Sequence, residues 1–300
     1  MPHTTAREQL LFYGDSAGAH VHAFPAAFGT ASRALDVVSP GVYEGLRTFE
    51  RTRFFGLRTH LARLRESAAR FKTELLYDEE ALVRAVDIAA REATEAFQSE
   101  ARLRLDVAAD TAAALGIDSN ILIAASAYHG VPEHIRREGA TVRTAPGLRR
   151  PDPGVKTSDF IPLREAWVCA HGDPDAYEHV MLSEDRMILE GTQSNLVLVR
   201  DGELYHAPRG VLPGVTVRAV IDLARAAGVA VHDRFVAVEE LSSFDEAFLT
   251  TSVRSVVPVR RIDGCSFEVI GPVTRRLSSL YDELTASDAV EASDRESARY

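Results

Sequence analysis

The sequence predicts an α/β protein of two domains, with helices and strands partly segregated in the first (α+β). Apolar residues alternate between helical and strand spacing along the chain, and a polar stretch without a period interrupts them near its middle. Its 300 residues, 46% of them hydrophobic, suffice for two cores.

After a polar start, HVHAF and LDVVS read as strands, followed by GVYEGLRTF and RFFGL. From Thr59 the period becomes helical, with Leu61, Leu64, Ala68 and Phe71 three and four apart. A second helix is expected over about 79–98, then the strands ARLRLDVA and SNILIAAS. These make a first domain over 1–127. YHGVPEHIRREG has no sustained period and suits an inter-domain connector at 128–140. A second domain over 141–285 opens with ATVRTA, and the helix PLREAWVCAHG follows, with proline near its start and glycine at its end. Strands come next at HVMLS and MILEG, and NLVLVR and ELYHAP flank Asp201–Gly202, a hairpin signal. PGVTVRAVIDLARAAG is a helix, and VAVHDRFVAV, DEAFLTTS and SVVPVRRIDG supply further strands. The small polar residues of 286–300 read as a disordered tail.

A net charge of −10 argues against nucleic acid or an acidic membrane as partner. No apolar run approaches a membrane span, and the first residues carry no secretory pattern, so a cytoplasmic protein acting on small molecules is expected. Cys169 and Cys265 have no metal-ligand spacing and read as buried thiols. His20 and His22 share a strand face without a third ligand, so no metal site is expected. Arg149 and Arg150 of GLRR read as surface charge or, as a second reading, as the frame of a binding-site entrance.

Of the 34 lysines and arginines, only Lys72 and Lys156 are lysine. Arginine stays charged under all ordinary conditions, whereas a desolvated lysine loses its proton and attacks carbonyls. Lys72 ends a helical run and reads as a solvated charge. Lys156, in PDPGVKTSDF, is followed by features that packing explains poorly. Glu190 ends an apolar strand in ILEGTQSNLVLV, and VLPGVTVRAV runs from a glycine turn into a helix whose free N–H groups suit phosphate. FLTTSVRSVVPV breaks at Thr250–Thr251–Ser252, a second candidate cup. An amine, an acid and phosphate donors meet the needs of pyridoxal 5′-phosphate (PLP).

From about residue 25 to about 265 these motifs, with HLARLRESA and LRLDV between them, resemble in matched order the class IV (fold-type IV) PLP-dependent aminotransferases. The 34-residue step from Lys156 to Glu190 is similar to the branched-chain pattern. The resemblance implies a two-domain fold-type IV enzyme, with PLP in the inter-domain cleft and a homodimeric assembly. It also implies residue roles. Lys156 would carry PLP as a Schiff base and shuttle the Cα proton, and Glu190 would pair with the ring nitrogen. Arg63, Val215, Thr216, Ser252 and the Val253 N–H would hold the phosphate, and Leu212 would pack on the ring. The reaction implied moves an amino group between an amino acid and a 2-oxo acid.

Substrate motifs depart from every subgroup. Branched-chain enzymes place a tyrosine five residues after the lysine, where this chain has Ile161, and a Gly-Thr-Ala turn where it has Thr251–Ser252–Val253. GVYE, with Tyr43 facing substrate, and EGTQSN resemble D-amino acid transaminases, but the Arg-x-His carboxylate trap of those enzymes is missing from DVAADTAAALG. The sequence therefore favours a D-amino acid transaminase over a branched-chain L-type enzyme. R-selective amine transaminase, aminodeoxychorismate lyase and a non-catalytic relative stand further back. Arg254, or an arginine in the stretch from Arg47 to Arg58, is expected to bind the substrate carboxylate.

Overall fold

A computed structural model describes residues 8–292 and 294. The described residues form two compact units, the first made of 8–129, 155–159, 285–292 and 294, and the second of 130–154 and 160–284. The segment holding Lys156 thus folds with the first unit, although the chain on both sides of it belongs to the second.

Within the first unit the elements are β1 (Gln9–Gly14), β2 (Ala19–His22), α1 (Ala31–Ala34), β3 (Gly41–Arg47), β4 (Arg53–Phe54), α2 (Leu57–Phe71), α3 (Glu79–Phe97), β5 (Ala101–Ala108) and β6 (Ile121–Ala127). One antiparallel sheet has the order β2-β1-β6-β5-β3. Val42, Leu46, Leu103, Leu105 and Val107 point from it into a core shared with Leu57, Leu61 and Leu64 of α2 and the alanines of α3. Small residues at 85, 89, 90 and 93 give α3 its buried face, and Asp78 caps its start by accepting from Ala81 N–H at 2.8 Å. Lys72, at φ 58°, closes α2 in the left-handed conformation with its N–H turned back on the last carbonyls. That accounts for the second lysine without chemistry.

The second unit carries α4 (Glu133–Glu138), β7 (Ala140–Ala145), α5 (Phe160–His171), β8 (Glu178–Leu182), β9 (Ile188–Gly191), β10 (Asn195–Arg200), β11 (Glu203–His206), α6 (Val215–Ala226), β12 (Val231–Asp233), β13 (Glu246–Thr251), β14 (Ser255–Ile262) and β15 (Cys265–Ser266). A mixed sheet runs β12-β11-β10-β13-β14-β7-β8-β9, with β15 on β14. The β10–β11 hairpin turns at Asp201 and Gly202, both at positive φ (53° and 78°), as a two-residue reverse turn requires. Helix α7 (Pro272–Asp288) follows, then β16 (Val290–Glu291). The buried Glu246 carboxylate caps α7, accepting from the N–H groups of Val273 (3.1 Å) and Thr274 (2.7 Å).

Several expectations change. LDVVS is not a strand: Leu35–Val37 is a 3₁₀ turn continuing α1, with Leu35 buried against Ala31 and Ala34. Within the connector, residues 133–138 are helical. Chain expected to be disordered from 286 instead completes α7 to Asp288, and β16 pairs with β4. Ala292 packs in the first core, and Glu291 accepts from Thr52 and Arg91 (2.7 and 2.6 Å). The rest of that tail, 293 and 295–300, lies outside the described residues. Cys169 is exposed, because α5 buries only Phe160 and Ile161, and Cys265 of β15 is half-buried. Among the described residues no helix is long and apolar enough to cross a membrane, and no cluster of three metal-ligating side chains occurs.

Candidate active site

In the first unit the site is built on β3. Residues 155–159 lie alongside this strand: Val42 bridges Thr157, Tyr43 N–H donates to the Lys156 carbonyl (3.0 Å), and Ser158 N–H donates to the Gly41 carbonyl (2.9 Å). Ser67 Oγ of α2 accepts from Lys156 N–H at 3.3 Å. Both main-chain groups of the lysine are therefore held, and its ammonium lies 4.8 Å from the Tyr43 ring centroid. A Cβ on Gly41 would come within 2.0 Å of the Val107 carbonyl, so glycine is required where three stretches of backbone meet.

Strand alternation gives β3 two chemically different faces. Glu44 points into the core, where its carboxylate accepts from Arg63 Nε (2.8 Å), Arg63 Nη2 (2.6 Å) and His60 Nδ1 (2.9 Å). Burial pushes this carboxyl up, but the Arg63 charge and the His60 and Arg63 hydrogen bonds hold it far below the carboxylate range. Burial pushes the His60 imidazole down, against the opposing pull of Glu44. On the other face Tyr43, Gly45 and Arg47 stand opposite Asp106, Arg104 and Arg102 of β5. The Arg104 guanidinium is 5.1 Å from the Tyr43 ring centroid and donates to Asp106 Oδ1 at 2.7 Å. Asp106 Oδ2 and Arg104 Nε are buried with no hydrogen-bond partner. Burial raises the Asp106 carboxyl despite Arg104. Arg47 is about 13 Å further along the strand from Tyr43 and lies between Phe49 (4.1 Å) and Tyr128 (5.0 Å).

In the second unit Glu190, 2% exposed, is the last residue but one of β9. Its Oε2 accepts from Asn195 Nδ2 and Leu212 N–H, each at 3.0 Å, while Arg150 Nε is 3.5 Å from Oε1. Asn195 also donates to the Leu212 carbonyl (2.9 Å), tying the carboxylate to the turn that begins α6. A Cβ on Gly214 would fall 2.0 Å from Asn195 Oδ1. Val215 and Thr216 open α6, whose N-cap residue is Gly214 and so supplies no capping side chain. Thr216 Oγ1 lies 3.4 Å from Ser252 Oγ and 3.4 Å from the Tyr281 hydroxyl of α7. Val253 N–H donates to Thr251 Oγ1 (3.2 Å), as does Arg254 N–H (2.9 Å). Arg254 pairs with buried Glu178 (3.1 Å) and lies over the Tyr177 ring. Glu178 also accepts from Thr192 (2.8 Å) and Ser194 (3.1 Å), fixing the Gly-Thr-Gln-Ser loop.

Within the first unit Lys156 and Tyr43 come together, while Arg63 occupies the core face of β3. Within the second, Glu190 and Leu212 share hydrogen bonds, and Thr216 and Ser252 share another. Sequence reasoning missed Arg104 and Asp106, whose i, i+2 spacing in ARLRLDVA puts them on one face of β5. It also missed Glu178, Asn195 and Tyr281. Arg149 is exposed and pairs with Glu184, but Arg150 is buried, contrary to the expected surface role of both.

In the first unit an amine held at both main-chain groups, and in the second a buried, hydrogen-bonded carboxylate and a helix start beside two hydroxyls, are the kinds of group that PLP requires. The amino-transferase class IV family matches residues 41–262. A probable branched-chain-amino-acid aminotransferase of Thermotoga maritima is 33% identical over 248 residues, covering 80% of this chain and 85% of its own. The branched-chain-amino-acid aminotransferase of Pseudomonas aeruginosa is 27% identical over 265 residues, covering 82% and 84%. Among solved structures, the Escherichia coli branched-chain amino acid aminotransferase superposes with a TM-score of 0.67 at 25% identity, covering 82% of this chain and 85% of its own. The chain belongs to the class IV aminotransferases.

Proposed function

We propose that the protein binds PLP and transfers an amino group between an amino acid and a 2-oxo acid. The observation that carries this reading is the fixing of Lys156 against β3 by hydrogen bonds at its N–H and carbonyl, in a chain of a class IV family. When bound, PLP withdraws electrons from the substrate Cα. Lys156 Nζ would hold the cofactor aldehyde and, with PLP bound, would carry the Cα proton. Glu190 would accept from the ring nitrogen, and Leu212 would pack on the ring. Arg63, held in place by Glu44, the N–H groups of Val215 and Thr216, Ser252 and the Val253 N–H would neutralise the phosphate.

For substrate we assign branched-chain L-amino acids and their 2-oxo acids, on the strength of the Thermotoga and Pseudomonas relatives. D-amino acids are the second reading, favoured by Tyr43, the Gly-Thr-Gln-Ser loop and Ile161. We assign the substrate carboxylate to Arg104, which shares a strand face with Tyr43 and Lys156. Arg47 stacks between two aromatic rings, and Arg254 already has Glu178. The assembly proposed is a homodimer that covers the exposed Leu163 and Val168 of α5, to be measured by light scattering.

Purified protein given PLP should absorb as a lysine-bound cofactor and shift to the pyridoxamine form when a donor is added. Comparing L-leucine, D-alanine, D-glutamate and an R-amine assigns the substrate. No shift with any donor overturns the transaminase reading, and a shift with D-amino acids alone replaces the branched-chain assignment.

A further inference from the structure

Arg150 lies in the loop between β7 and α5, and its side chain is 3% exposed. Its guanidinium carbon is 4.3 Å from the ring centroid of buried Phe160, and its Nε is 3.5 Å from Glu190 Oε1. Its Nη1 is buried with no hydrogen-bond partner. A buried guanidinium with an unmet N–H is unfavourable unless a charge compensates it, and this side chain forms an ion pair with the Glu190 carboxylate. Glu190 needs no further donor for anchorage, since Asn195 and the Leu212 N–H already hold its other oxygen. A structural role for Arg150 therefore leaves its charge unexplained.

We infer that Arg150 is a positioning residue that fixes the charge state of Glu190. The inference rests on the PLP reading above. A buried carboxylate facing a protonated ring nitrogen can relax to a neutral acid beside a neutral pyridine, the proton passing from nitrogen to carboxylate oxygen with no change in the charge of the pair. Low dielectric favours that neutral arrangement. A fixed cation behind the carboxylate favours its anionic form and leaves the proton on the ring, where it sustains electron withdrawal. Phe160 holds the guanidinium through its ring face without competing for the carboxylate.

PLP labelled with ¹⁵N in its ring reports this proton directly. With the wild-type holoenzyme at neutral pH the label should resonate at the pyridinium position. In Arg150→Met it should move toward neutral pyridine, with kcat reduced roughly tenfold, the scale seen when the outer partner of a functional ligand is removed, and KM nearly unchanged. Arg150→Gln, which keeps a donor without the charge, is read the same way should the Met variant not fold. Arg150→Lys should restore much of the pyridinium signal. A wild-type label at the neutral position, or Met and Gln variants with the wild-type signal, overturns the inference alone. Loss of PLP from both variants also overturns it, because charge control rather than binding is assigned to Arg150. A wild-type protein that takes up no PLP overturns the cofactor reading and this inference with it.

Discussion

The sheet carries an arginine–carboxylate pair on each of its faces at β3 and β5, Glu44 of β3 with Arg63 of α2 on one and Arg104 with Asp106 of β5 on the other. On the core face Glu44 and Arg63 meet through two hydrogen bonds, and His60 supplies a third. On the other face Arg104 and Asp106 share a single bond, with an oxygen and a nitrogen left without partners. Similar charges have opposite consequences: the first carboxyl is held down and the second pushed up. A carboxylate saturated by Arg63 and His60 holds that arginine in one place, whereas a half-satisfied pair beside Tyr43 keeps hydrogen-bonding capacity for another group.

The largest expected effect separates the faces by function. Lys156→Ala should abolish turnover, lowering kcat by roughly a thousandfold or more, while the urea midpoint hardly moves. A comparable fall in stability would mean that the outer face is structural too. Glu44→Gln tests the core face. It leaves Arg63 buried without its counter-charge, so a loss of about 3 kcal/mol is expected by urea denaturation; a change under about 1 kcal/mol would show that Glu44 does not hold Arg63 in place.

Acidification probes the same pair through His60. Its folded-state pKa is lowered, chiefly by burial, so the unfolded chain takes up a proton first, near pH 6.5. Stability is therefore full above about pH 6.5 and falls as pH drops below it. Glu44, also lowered, adds a further loss below about pH 4.3. His60→Gln should flatten the slope between about pH 6.5 and 5, and an unchanged slope would locate the sensor elsewhere. The smallest effect is expected at Asp106. Its raised pKa means that its contribution is greatest below about pH 3.9 and is lost as pH rises through the folded value. Asp106→Asn should accordingly alter stability by no more than about 1 kcal/mol at neutral pH while changing KM for the oxo acid. A large destabilisation would make both pairs equivalent.

How much of this was legible depended on whether a residue's role is set locally. The periods of α2 and α3, the Asp201–Gly202 hairpin and the glycine turn before α6 are local patterns, and they were read correctly. Lys156 stood out because arginine supplies nearly every other positive charge. Arg150 was misread because burial in an irregular loop leaves no period, and its partner lies 40 residues away. Leu35–Val37 was misread because a short apolar run suits a tight turn as well as a strand. Glu178 was missed because its partners at 192, 194 and 254 come together only in the folded sheet.

The docking of residues 155–159 on β3 bears on how the molecule is made. Ser158 and Gly41 are 117 residues apart, and Val155 and Ala292 both belong to the first core. During synthesis β3 precedes residues 155–159 by more than a hundred residues, so their contact can form only after the chain has run past residue 130, where the second unit starts. Pairing at such separation is slow and leaves an open strand edge in the interim. Chaperone demand should therefore peak in the interval before the lysine segment emerges, and a nascent chain arrested there should be cut by protease near β3.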